Sequence, residues 1–199
     1  MFAANAVAAK VLTSKCWQPG SMDIQQDYFA FLGLPAAYDL DVRELTSRFR
    51  ELQKQLHPDR HAHLSEREQR MSVQYTAYLN EAYSTLKSPL LRAQYLLKKR
   101  GVDTTNESSV KLDPMFLFEQ MELRESLEQA KVAADAEDQL ETMADSVESQ
   151  LALLEKQFSA CIVSESDSAL AEAEVVIRKM QFAVKLQKEI EQAENELDL

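Results

Sequence analysis

Residues 41–68, DVRELTSRFRELQKQLHPDRHAHLSERE, decide how the first half of the chain folds. Leu45, Phe49, Leu52 and Leu56 recur at helical spacing and mark one buried stripe. Asp41 and Glu44 stand where a capping box opens a helix. Arg43, Arg50 and Lys54 keep the same spacing two positions earlier. Two residues turn a helix by about 200°, so this basic stripe lies nearly opposite the apolar one, with Arg48 on its flank. The helix must end at His57-Pro58-Asp59. Pro58 has no amide hydrogen to continue it, and His57 is pushed into an extended conformation by the proline that follows. Asp59 is then a short anionic acceptor on a constrained loop, matched to the planar fork of an arginine on another molecule. Ser65 and Glu68 form a second capping box and reopen helix.

The pattern extends outward in both directions. Asp27 caps a short helix carrying Tyr28, Phe29, Phe31 and Leu32, and Gly33 ends it before Pro35. Downstream, Met71, Tyr75, Tyr78, Leu79, Ala82, Tyr83 and Leu86 form the apolar face of a long partner helix. Ser88-Pro89 starts a shorter one bearing Leu90, Leu91, Tyr95, Leu96 and Leu97, with Lys98, Lys99 and Arg100 at its C-terminal dipole and Gly101 closing it. Residues 102–112 read as a polar linker. Asp113-Pro114 restarts helix, and three amphipathic segments follow near 114–133, 136–162 and 167–196, a pattern that predicts an antiparallel three-helix bundle.

With three glycines, five prolines and no period-2 alternation, the expected fold class is all-α. Residues 1–21 hold no acid and no amphipathic pattern, and they read as a leader or a segment derived from cloning. The predicted domains are 22–101 and 113–199. The net charge of −11 is unevenly shared. Residues 22–101 hold 12 Lys and Arg against 10 Asp and Glu, whereas residues 102–199 hold 8 against 23. That split points to two surfaces with different partners, and a chain this acidic is not expected to bind nucleic acid. No run of about 20 apolar residues is present to span a membrane.

Chemistry of the chain's own is not expected. Cys16 and Cys161 lack metal-ligand spacing, and no glycine-rich phosphate loop, activated nucleophile or paired-carboxylate cleft stands out. His57, His61 and His63 invite a metal site. However, Pro58 breaks the helical geometry, His61 and His63 would point apart on a helix, and no cysteine completes a set. The expectation is no metal and no cofactor. A helical adaptor built on coiled coils is the other class to weigh, but the breaks near 135 and 165 favour a folded-back bundle.

A basic-faced helix, a His-Pro-Asp loop and an antiparallel partner helix resemble the J-domain of co-chaperones acting on DnaK-type ATPases, over roughly residues 27–88. The resemblance implies that His57, Pro58 and Asp59 trigger ATP hydrolysis on the partner, and that Arg48, Arg50 and Lys54, with Arg43, dock it. The Gly/Phe-rich and Cys-x-x-Cys segments of other J-proteins are missing, which favours a dedicated client. Residues 116–125, FLFEQMELRE, and 178–182, RKMQF, resemble the C-terminal domain of the HscB family, J-type co-chaperones of iron–sulfur cluster biogenesis. In that family this domain holds a scaffold protein, IscU, and delivers it to the chaperone HscA. The positions matching its binding face are Leu117, Phe118, Met121, Glu122, Glu125 and Phe182. The residues of that set on 117–125 share one helix side, whereas Phe116, Leu123 and Leu127 lie on other azimuths. Apolar stripes are usually core, so burial of Leu117, Phe118 and Met121 is the competing expectation. The resemblance further implies a monomer, cytoplasmic in a bacterium or in the mitochondrial matrix in a eukaryote. A different dedicated client is the alternative.

Overall fold

The computed structural model describes residues 26–56, 65–104, 111–164 and 166–197. Among them the regular structure is helical throughout, as the composition predicts: α1 (Tyr28–Leu32), α2 (Val42–Leu56), α3 (Glu66–Lys87), α4 (Pro89–Lys99), α5 (Pro114–Ala130), α6 (Ala136–Val163) and α7 (Asp167–Leu197). Two compact units divide between Arg92 and Ala93, inside α4. The leader segment, the His-Pro-Asp loop and residues 105–110 of the expected linker lie outside the described residues.

In the N-terminal unit, α1 is held at both ends by the residues expected. The Asp27 side chain accepts from the Ala30 amide at 3.1 Å. Gly33 turns into the left-handed region at φ 69°, letting the Gly33 and Leu34 amides reach back to the Ala30 and Phe29 carbonyls. Asp41 accepts from the Arg43 and Glu44 amides at the start of α2. Ser65 and Glu68 form the full reciprocal box at the start of α3. The helices α2 and α3 run antiparallel. Phe49 stacks on Tyr83 with ring centroids 4.1 Å apart near one end, and the Leu56 carbonyl meets Ser72 at the other. Between them Leu45, Leu52, Leu56, Tyr75, Leu79, Ala82 and Leu86 are buried, and Phe29, Phe31 and Leu32 of α1 belong to the same core.

The end of α2 carries a detail that the apolar pattern does not disclose. A helix leaves its last carbonyls without intrahelical partners. At Leu56 that oxygen accepts from Ser72 Oγ at 2.7 Å, while Thr76 Oγ1, 3.2 Å away, shares its one proton with the Ser72 carbonyl at 2.8 Å. Ser72 is fully buried, one helical turn before Tyr75. The two hydroxyls thereby anchor α2 one residue before His57. On α4, Leu91 is exposed and its neighbour Arg92 is buried. Arg92 donates through Nη1 to the Leu86 carbonyl at 2.9 Å, and its guanidinium lies 5.0 Å from the centre of the Tyr38 ring.

The C-terminal unit is built on α6 and α7, joined by residues 164–166 and folded back on each other. Leu140, Val147, Leu154 and Cys161 recur every seven residues along α6, joined by Phe158 and Ile162. They meet Ala173, Val176, Ile177, Met180, Ala183, Leu186, Ile190 and Ala193 of α7. The helix α5 begins at the Asp113 cap, whose carboxylate accepts from the Met115 amide at 2.9 Å, with Pro114 at the first helical position. It buries Phe116, Gln120, Leu127 and Ala130 against the pair. Phe116 meets Phe182 and Arg124 meets Glu189, so α5 runs parallel to α7 and the bundle is up-down-up. Gly101, at φ 84°, closes α4, and Arg100 donates to the Ser164 carbonyl at the α6–α7 corner at 2.9 Å.

Replacing Ser72 by Ala removes one donor to the Leu56 carbonyl and is expected to cost about 1 kcal/mol of unfolding free energy. Adding Thr76→Val removes the second, shared donor and should add a smaller further cost, as read by urea denaturation. If the double variant unfolds at the parent's midpoint, the two hydroxyls do not hold the end of α2.

Candidate functional site

Two surfaces deserve description, one in each unit. On α2, Leu45, Leu52 and Leu56 are buried while Arg43, Arg50 and Lys54 are exposed, so the basic stripe faces outward as the spacing predicts. Arg48 is half-buried and paired to Glu51 at 3.5 Å, one turn along the same helix. Arg43, Arg50 and Lys54, with Thr46, Ser47 and Glu51, line a shallow open groove. Its chemistry is cationic with two hydroxyls, which suits carboxylates on a partner surface. Thr46 is also tied to the fold, donating to the Val42 carbonyl and lying 3.3 Å from the Tyr83 hydroxyl. His57, Pro58 and Asp59 are outside the described residues, as are His61 and His63.

On α5 the competing expectations separate. Leu117 is 40% exposed, Phe118 56% and Met121 69%, whereas Phe116 is 7% exposed and Leu127 2%. These three apolar side chains therefore do not belong to the core. Glu122 and Glu125 are exposed on the same side of the helix, and Leu123 is half-buried on another azimuth. The remaining residue of the expected set, Phe182, is on α7. It is half-buried, its ring set edge-on to Phe116 with centroids 5.7 Å apart and interplanar angle 89°. The Arg124 guanidinium stands 5.9 Å from the Phe182 ring and the Lys179 ammonium 5.3 Å from the Phe116 ring. An exposed apolar patch rimmed by carboxylates is the chemistry of a protein-binding face.

The sequence reading missed parts of this surface. Met115, 63% exposed, extends the apolar patch one turn toward the start of α5. Its spacing of three from Phe118 was the available signal. Arg124 and its partner Glu189, 3.4 Å apart, gave no signal, because the two lie on helices whose pairing only the fold reveals. Cys161 is buried in the α6–α7 seam, where desolvation and the neighbouring Glu172 push its thiol above the ordinary value and keep it protonated. Among the described residues, no group of three or more His, Cys, Asp or Glu is placed to hold a metal ion, and no helix is long and apolar enough to cross a membrane.

Comparison with known proteins bears on both surfaces. The family model described as the DnaJ domain matches residues 27–95, and that described as the HSCB C-terminal oligomerisation domain matches residues 112–191. A co-chaperone protein HscB homolog of Shewanella loihica is 39% identical over 171 residues, covering 86% of this chain and 99% of the relative. The chain belongs to the HscB family of co-chaperones. Another HscB homolog, from Vibrio parahaemolyticus, is 43% identical over 172 residues, 86% of this chain and 98% of its own. Among solved structures, chaperone HscB from Vibrio cholerae has 41% identity and a TM-score of 0.77, covering 86% of this chain and 99% of that one. Human co-chaperone protein HscB has 26% identity and a TM-score of 0.78, covering 89% and 86%. The chain thus pairs a J-domain with an HscB C-terminal domain. The basic groove lies on the first and the α5 face on the second.

The exposure of the α5 face sets a stability test. Changing Leu117, Phe118 and Met121 to Ala should each move unfolding free energy by about 0.5 kcal/mol or less, as exposed helix positions do. Phe116→Ala, one residue away, should cost about 3–5 kcal/mol. Denaturant melts of the triple and single variants compare the two directly. A triple variant as damaged as Phe116→Ala would put these side chains back in the core.

Proposed function

We propose that this HscB-family protein binds an IscU-like iron–sulfur scaffold protein through Leu117, Phe118, Met121, Glu122, Glu125 and Phe182. It hands the scaffold to an HscA-like, DnaK-type chaperone. Arg43, Arg48, Arg50 and Lys54 dock that chaperone, and His57, Pro58 and Asp59 trigger its ATPase. The observation that carries this reading is the apolar, carboxylate-rimmed face on α5, in a domain joined to a J-domain. The protein supplies no bond-making group. Its work is to raise the local concentration of client at the chaperone while presenting the trigger, which makes the second contact effectively intramolecular. We further propose a protein of the cytoplasm in a bacterium, or of the mitochondrial matrix in a eukaryote, acting as a monomer without nucleic acid, metal or cofactor. The curated relatives compared are bacterial, and the charge of −11 disfavours a polyanionic partner. The self-association named in the family model would appear as concentration-dependent sedimentation.

Single-turnover ATPase assays with a purified chaperone and scaffold, present singly and together, test the assignment. Asp59→Asn should abolish stimulation, because a charge-assisted contact of about 1.5–3 kcal/mol is lost, while scaffold binding and helicity persist. The triple Ala change at Leu117, Phe118 and Met121 should weaken scaffold affinity about thirty- to a thousand-fold and remove only the joint stimulation. Normal scaffold binding by a folded triple variant points to a different client. Retained stimulation by folded Asp59→Asn sinks the trigger assignment.

Docking through the basic face should show in its salt dependence. Chaperone association should slow as salt rises across about 0.05–0.3 M, where the Debye length shortens. Changing Arg50 and Lys54 to Glu should slow it further with little effect on melting. Stopped-flow association rates that ignore salt would contradict an electrostatic docking face.

A further inference from the structure

The face on α5 takes one of its members, Phe182, from another helix, and that ring is poised by a pair of charges with no assigned role. We propose that Glu189 is a positioning residue for the client face: acting through Arg124, it holds the Phe182 ring in its binding orientation. This rests on the reading of Phe182 as part of that face.

Phe182 and Glu189 lie seven residues apart on α7, which places them on the same stripe two turns from each other. Arg124 reaches across from α5 and touches both. Its Nε is 3.4 Å from Glu189 Oε2, and its guanidinium is 5.9 Å from the centre of the Phe182 ring. A second contact, Arg124 Nη1 to the Gln120 carbonyl at 3.4 Å, comes from its own helix and carries no opposing charge. Glu189 is therefore the anionic partner that draws Arg124 toward α7. The two side chains are about one-third exposed, at 32% and 33%, so the pair is partly shielded from water.

Another carboxylate is within helical reach of Arg124. Glu128 lies four residues further along α5, a spacing at which opposite charges attract. At present Glu128 accepts from Lys131 Nζ at 2.7 Å. Without the Glu189 charge, the balance for Arg124 shifts one turn toward Glu128. Phe182 lies the other way, beside Phe116 at the beginning of α5. An arginine drawn to Glu128 leaves the Phe182 ring with the Phe116 edge contact and a freer χ1. A ring that must be reoriented on binding gives weaker affinity than one already in place.

The test combines the free protein with a double-mutant cycle. In nuclear magnetic resonance spectra of the full chain, the parent should show contacts between the Arg124 side chain and the Phe182 ring. Glu189→Gln should lose them and show rotamer averaging at Phe182. Calorimetry with a purified iron–sulfur scaffold protein should find Glu189→Gln about two- to five-fold weaker than the parent, the scale of one cation–π contact. In a Phe182→Ala background the same change should have no effect, an outcome that a general loosening of the bundle would not give. Arg124→Lys provides a second route. It keeps the charge facing Glu189 but removes the planar guanidinium from the ring, and should match Glu189→Gln. An unchanged Phe182 orientation in Glu189→Gln, or equal losses in both backgrounds, overturns the proposal. A parent that fails to bind scaffold overturns the client reading instead, and the resonance experiment then decides the positioning role by itself.

Discussion

The apolar seam between α6 and α7 is the constraint on which the C-terminal unit rests. Neither helix could persist alone in water, since helix stability in proteins comes mainly from packing one face. The seven-residue recurrence of Leu140, Val147, Leu154 and Cys161 against the buried apolar side chains of α7 supplies that packing. It leaves α5 as a helix laid on an existing platform. Four of its side chains, Phe116, Gln120, Leu127 and Ala130, suffice to seat it. Because the platform is supplied by other helices, α5 can leave Leu117, Phe118 and Met121 outside the core. An exposed apolar surface is tolerable on a helix whose place is fixed by neighbours that do not depend on it.

Much of this was legible in the sequence because the relevant forces are local. Caps at Asp27, Ser65 and Asp113 read directly, since a side chain two or three residues from an amide needs nothing distant to bond it. The outward basic stripe on α2 also followed from spacing alone. On α5, spacing grouped Leu117, Phe118 and Met121 on one side but could not say which side the bundle would cover. The family resemblance supplied that choice, and their exposure agrees with it.

The parts that were not legible share a physical cause. Ser72, Arg92, Gln120 and Arg178 are buried polar residues, and a sequence gives no reason to bury any of them. Ser72 has a place inside because a helix end from elsewhere arrives with an unbonded carbonyl. Arg92 has one because the Leu86 carbonyl and the Tyr38 ring meet at its guanidinium. Leu91 lies outside, since the same turn of α4 gives its inward position to Arg92. Residues of this kind are set by tertiary partners, and hydrophobic period cannot find them.

The parallel course of α5 and α7 bears on the order of synthesis. Leu117, Phe118 and Met121 leave the ribosome early in the second half of the chain, but the surface they complete needs Phe182 and the support that α7 gives to Phe116. Since α7 is made after α5 and α6, α5 waits for it with its buried side chains uncovered. The N-terminal unit has all of its residues about a hundred positions earlier and can fold while the rest is still being made. A nascent chain thus passes through a stage in which the J-domain can already be formed and the client face cannot. Within one molecule, the surface proposed to speak to the chaperone is older than the surface proposed to hold its cargo.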